Sequence, residues 1–97
     1  VLNVARYDIS DLREALKNRD TLRAARTLEG LKGEDAAPPL VLWALATEAR
    51  AVAAMSVRVR ALLHAAKIDR MIKGLAHGDI WDEFLQLALR LTQPRTR

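Results

Sequence analysis

Ala65–Leu91 reads AAKIDRMIKGLAHGDIWDEFLQLALRL, and its punctuation decides the fold. Ala65, Ile68 and Ile72 recur at helical spacing and stop at Gly74, where only a residue without Cβ takes a left-handed C-terminal cap freely. Gly74, Leu75, Ala76, His77 and Gly78 make a five-residue break. Asp79 then stands at an N-cap position, with Asp82 and Glu83 placing carboxylates at the positive end of the next helix. Beyond it Ile80, Trp81, Phe84, Leu85, Ala88, Leu89 and Leu91 form one wide apolar face. Two amphipathic helices joined this tightly form an antiparallel pair, and their apolar stripes need further helices as cover.

The residues upstream supply them. Asp8 or Ser10 can cap a first helix running to Asn18, with Ile9, Leu12, Ala15 and Leu16 as its apolar stripe and Lys17 and Arg19 at its end. After a tight turn over Asn18–Asp20, Asp20 caps a second helix, Thr21–Lys32. Its Leu22, Ala25, Leu28 and Leu31 repeat at spacing three, and Gly33 is expected to close it. Pro38 and Pro39 open a third helix, where a missing N–H costs nothing. It is predicted to run to Met55 as a central helix, with Leu42, Leu45, Ala46, Ala49, Val52 and Ala53 on one face and Val41 and Trp43 widening it. No breaker separates Met55 from Ser56. A single helix from Pro38 to Lys73 would nevertheless exceed the roughly 8–20 residues usual in globular domains, so the break is set near Ser56. The expectation is an all-α compact bundle of about five helices over residues 8–92. It is flanked by an extended or frayed Val1–Tyr7 and a disordered tail over residues 93–97; Thr92 too is read as having nothing to bury.

Ninety-seven residues with 51% hydrophobic content suffice for one domain and one core. A chain that starts on Val1 is expected to be a piece of a longer protein. It has no cysteine, which removes disulfide frameworks and thiolate metal sites and fits a reducing compartment. No apolar run reaches the roughly 18 residues of a membrane span, so a soluble, intracellular protein is expected. The net charge of +4 is uneven. Residues 1–55 carry eight basic and eight acidic side chains, residues 56–97 eight basic and four acidic.

Catalytic and cofactor motifs are not found. His64 and His77 lack a partner at nucleophile, HExxH or metal-ligand spacing, and the carboxylates nearest His77, Asp79 and Asp82, are explained by capping. The four glycines fit neither GxxxxGK[ST] nor GxGxxG. No enzyme, metal or cofactor is therefore expected of this chain. The best contact surface is a basic stripe on the fourth helix, because Arg60, His64, Lys67 and Arg70 fall within about 120° of arc at about 100° per residue. Arg60, Lys67 and Arg70 are the candidates to face DNA, and the same stripe could equally be a solvated helix face. Trp43, Trp81 and Phe84 are candidates for a subunit interface or the core, with the core favoured for Trp81. Groove-reading by the last helix is unattractive, since Asp79, Asp82 and Glu83 at its start repel a phosphate backbone.

Three stretches, ARYDISDLREAL (5–16), PPLVLWALATEAR (38–50) and AAKIDRMIKGLAHGDIWDEFLQLAL (65–89), together resemble the C-terminal domain of the delta subunit of bacterial DNA polymerase III. That family has a proline-led helix of the form PLxLLWALxRExR, here Pro39–Arg50. Its late DxxIKG with WDEL-like residues corresponds to Asp69, Ile72, Lys73, Gly74 and Trp81, Asp82, Glu83, Phe84. The resemblance implies a non-catalytic helical collar domain of the sliding-clamp loader, in bacterial cytoplasm. Through the collar, delta joins delta-prime and the gamma or tau subunits in a ring that opens the beta clamp and closes it on primed DNA. The parent assembly is a DNA-directed DNA polymerase, a nucleotidyltransferase. ATP hydrolysis belongs to gamma or tau, and clamp contact to an N-terminal module outside this chain, so no such residues carry over. Val1–Tyr7 would close the preceding small domain. One departure is that delta subunits usually have a longer stretch between the equivalents of Met55 and Ser56. The alternative reading is a small basic helical module that binds nucleic acid, with only weak DNA contact expected in isolation.

Overall fold

The computed structural model describes residues 8–93. It contains five helices: α1 (Ile9–Lys17), α2 (Thr21–Gly33), α3 (Pro38–Arg50), α4 (Met55–Ile72) and α5 (Ile80–Thr92). The all-α bundle expected from periodicity is what forms. No described helix is long and apolar enough to cross a membrane. The expectations for Val1–Tyr7 and for the tail beyond Gln93 lie outside the described residues.

Local chemistry explains most of the boundaries. Asp8 caps α1 in a reciprocal box: Asp11 N–H donates to Asp8 Oδ1 at 2.9 Å and Asp8 N–H to Asp11 Oδ2 at 3.3 Å. Asp20 accepts from Arg23 N at 3.1 Å, and Asp79 accepts from both Trp81 N and Asp82 N. At the other end of α4, Gly74 (φ 79°) sits in the left-handed region. Its N–H reaches Met71 O, and Leu75 N–H reaches Arg70 O at 2.8 Å, the paired closure that a left-handed cap permits. The same closure ends α1 at Arg19 (φ 54°) and α2 at Asp35 (φ 60°). Gly33 is thus not the stop expected of it. It lies in the last turn of α2, and the short polar side chain of Asp35 tolerates the left-handed position two residues later.

Three further expectations need correction. The third helix ends at Arg50, not Met55, and Ser56 lies inside the first turn of α4. The linker Ala51–Ala54 contains no breaker and Ala54 gives no side-chain cap. The chain turns there because Val52 packs against the core and Arg58 Nη1 donates to Val52 O at 3.1 Å, so tertiary contacts override helix propensity. Leu22, placed in the α2 stripe, is 59% exposed. Three steps of 100° fall 60° short of a turn, so a strict spacing of three drifts round the helix, and Ala24, Thr27, Leu28 and Leu31 are the buried set. Thr92 is not tail. It is the buried last residue of α5, where its hydroxyl donates to Ala88 O and accepts from Thr21 Oγ1 at 3.0 Å.

The core follows from the faces. Phe84, Leu12, Leu45, Ile68, Leu87 and Val41 are its largest fully buried side chains. α5 packs against all four other helices, and α3 against α1, α4 and α5. The expected central role of α3 holds, although α5 is the true hub. α4 sits at the edge, packed only on α3 and α5. Both of its flanks therefore border grooves.

Candidate functional site: the two flanks of α4

On one flank, α3 and α4 leave an apolar groove of about 620 Å³. Pro39, Leu42, Trp43 and Ala46 of α3 face Leu62, Ala65 and Ile72 of α4 across it, with Arg50, Asp69 and Lys73 at its rim. Asp69 and Lys73 pair with each other at 2.7 Å, one helical turn apart. Trp43 is 50% exposed. It does not complete the core face of α3; that role falls to Val41, Ala44 and Leu45. Instead the Arg13 guanidinium lies 5.2 Å from its ring centroid, a cation–π contact, while Arg13 Nε donates to Glu48 Oε2 at 2.8 Å. Trp81 and Phe84 do belong to the packing between helices. Phe84 is fully buried and Trp81 partly, with their rings edge to face at 5.2 Å and 82°.

The opposite flank carries the basic stripe, and α5 changes its character. Arg60, His64 and Lys67 share a cleft of about 340 Å³ with Glu83, Gln86 and Arg90 of α5. Arg70 is exposed and lies outside the cleft lining. His64 does not face solvent. Its side chain is 8% exposed, and its Nε2 lies 2.7 Å from Glu83 Oε1. Arg90 Nε, which can only donate, reaches His64 Nδ1 at 3.1 Å. The ring thus bridges the two helices' polar groups, with Nδ1 on Arg90 and Nε2 on Glu83. Lys67 Nζ approaches the other Glu83 oxygen at 3.7 Å. The His64 hydrogen bond holds the Glu83 carboxyl below the ordinary glutamate range; burial opposes it and the Lys67 charge assists.

The sign of the resulting pH dependence is fixed. A carboxyl whose pKa is lower in the folded state stabilises the fold above its unfolded value, about 4.3, and loses that contribution as pH falls through the folded value. Thermal unfolding followed by circular dichroism between about pH 7 and pH 3 is therefore expected to show a smaller acid loss for Glu83→Gln than for the natural chain. Equal acid sensitivity in both would remove Glu83 as a contributor.

Sequence reasoning found the α4 half of this cleft and missed Glu83 and Arg90 as its other wall. A trace existed: the two are seven residues apart, two turns on one face of α5. His77 is exposed in the α4–α5 connection, and no three His, Cys, Asp or Glu side chains gather among the described residues. Compared with family models, with curated proteins and with solved structures, the chain finds no match in any of the three.

Proposed function

We propose that this chain is a non-catalytic collar domain of the clamp-loader delta type, and that it works by docking on the collar domains of neighbouring loader subunits. One observation carries the reading. Two of the motifs on which the resemblance rests, the proline-led helix Pro39–Arg50 and the DxxIKG of Asp69–Gly74, are distant in sequence, yet residues of both line the same apolar groove; the third, Trp81–Phe84, lies elsewhere. Pro39, Leu42, Trp43, Ala46 and Arg50 come from the first, and Asp69, Ile72 and Lys73 from the second. A motif that served only to fold each helix would have no reason to put its tryptophan half into solvent. A half-exposed indole beside aliphatic side chains is the kind of anchor that concentrates binding energy at protein interfaces. The occupant in this reading is a helix of the adjoining gamma or tau collar, with delta-prime completing the ring.

Mixing the chain with gamma or tau and delta-prime collar domains is expected to give a co-eluting complex whose mass by light scattering is that of the sum. Trp43→Glu is expected to abolish co-elution while helicity by circular dichroism is kept, because the anchor is lost and the core is not touched. Separate elution at tens of micromolar, on the order of a weak transient affinity, sinks the reading. So does assembly that Trp43→Glu leaves unchanged.

A further inference from the structure

The α4–α5 cleft has more positive charge than its own carboxylate can satisfy. Arg60, Lys67 and Arg90 line it against the single carboxylate of Glu83, which leaves an excess of two positive charges without counting His64. Glu83 is already engaged by His64 and Lys67. Among the described residues Arg90 bonds through Nε alone, to His64, so its two Nη groups face outward for another acceptor, and a guanidinium held in a fixed plane grips an oxyanion through two parallel bonds. Arg60 is exposed, and its side chain makes no ion pair or hydrogen bond among the described residues.

The extent of the cation row selects the class of anion. At about 1.5 Å of rise per residue, Arg60 and Lys67 lie about 10 Å apart along α4, and Arg70 carries the row to about 15 Å. That span exceeds one phosphate and suits a chain of them. Among the described residues no Phe, Tyr or Trp lines the cleft, and the one imidazole, His64, is held between Glu83 and Arg90, so contact is with backbone charge rather than by base stacking. We propose that this cleft binds the sugar-phosphate backbone of a nucleic acid strand without sequence preference. Arg60 and Arg90 are the contact residues, Lys67 adds charge, and His64, braced by Glu83, is a positioning residue that sets the Arg90 plane. The site occupies the flank of α4 opposite the apolar groove, so it stands or falls independently of collar docking.

The test is fluorescence anisotropy of the full chain with a labelled mixed-sequence single strand of about 20 nucleotides, titrated at several salt concentrations, since affinity should fall by about 0.7 log units per log unit of salt for each phosphate neutralised. Arg90→Gln and Arg60→Gln are each expected to weaken binding about three- to tenfold and to flatten that slope by about 0.7. His64→Leu is expected to weaken it less, and to add nothing on top of Arg90→Gln, as coupled groups behave in a double-mutant cycle. Arg60→Gln breaks no internal contact and guards against a folding artefact. Unchanged affinity and slope in both arginine variants overturn the proposal. Displacement of the strand by inorganic phosphate at equal phosphate concentration also overturns it, in favour of a free-anion site. Equal competition by poly-glutamate of the same charge does so in favour of an acidic protein segment.

Discussion

Phe84→Ala is expected to cost about 3–5 kcal/mol of unfolding free energy, the range for truncating a buried phenylalanine. Phe84 is fully buried on the one helix that touches all the others, and its ring meets Trp81 edge to face. Removing it loses the transfer energy of the ring, opens a cavity that fixed helices on every side cannot collapse into, and strips Trp81 of its aromatic neighbour. Single domains hold only about 5–15 kcal/mol in total, so the variant should sit near the edge of folding at 37 °C. Urea unfolding followed by circular dichroism measures it. Leu75→Ala, at an exposed leucine in the α4–α5 connection, is the control and should stay within about 0.5 kcal/mol of the natural chain. A loss below about 1 kcal/mol for Phe84→Ala would mean that α5 is not the hub described above.

The second large effect is expected at Arg13. Glu48 is a carboxylate 8% exposed near the end of α3, and Arg13 Nε, on α1, is its ion-pair partner at 2.8 Å. Breaking a buried pair from one side strands the other charge, at a cost of about 3–5 kcal/mol for full burial. Arg13 is 32% exposed, so water reaches the site, and about 2–3 kcal/mol is the expected loss for Arg13→Ala. The test of mechanism is the double variant Arg13→Leu/Glu48→Leu, which removes both charges. It should recover most of the loss, because the pair is weakly stabilising as a whole while half of it is strongly destabilising. Equal instability in the single and double variants would assign the loss to packing against Trp43, which Arg13 also covers.

What was legible in the sequence was short-range. Asp8, Asp20 and Asp79 announced three helix starts, because a capping carboxylate acts on N–H groups two or three residues away. Gly74 announced one end for an equally local reason. Where the deciding partner lay far along the chain, the sequence was silent. The turn at Ala51–Ala54 depends on Val52 finding the core, Thr92 is buried because Thr21 meets it, and Glu48 is tolerated inside because Arg13 arrives from another helix. The basic stripe failed in the same way. Spacing on α4 placed Arg60, His64 and Lys67 correctly on one side. It could not reveal that Glu83 and Arg90 of α5 hold His64 as a hydrogen-bonded strut rather than leaving it to face solvent. The resemblance located the groove-lining motifs without indicating that they converge.

The hub helix is also the last of the five to be made. While a ribosome is still synthesising residues before Ile80, α1 to α4 have each other as neighbours but lack the surface on which all four rest. Burial of the sides that rest on α5 therefore waits until Leu87 and Leu91 clear the exit tunnel. In this chain the burden of staying soluble during birth falls on whatever shields the first four helices in that interval.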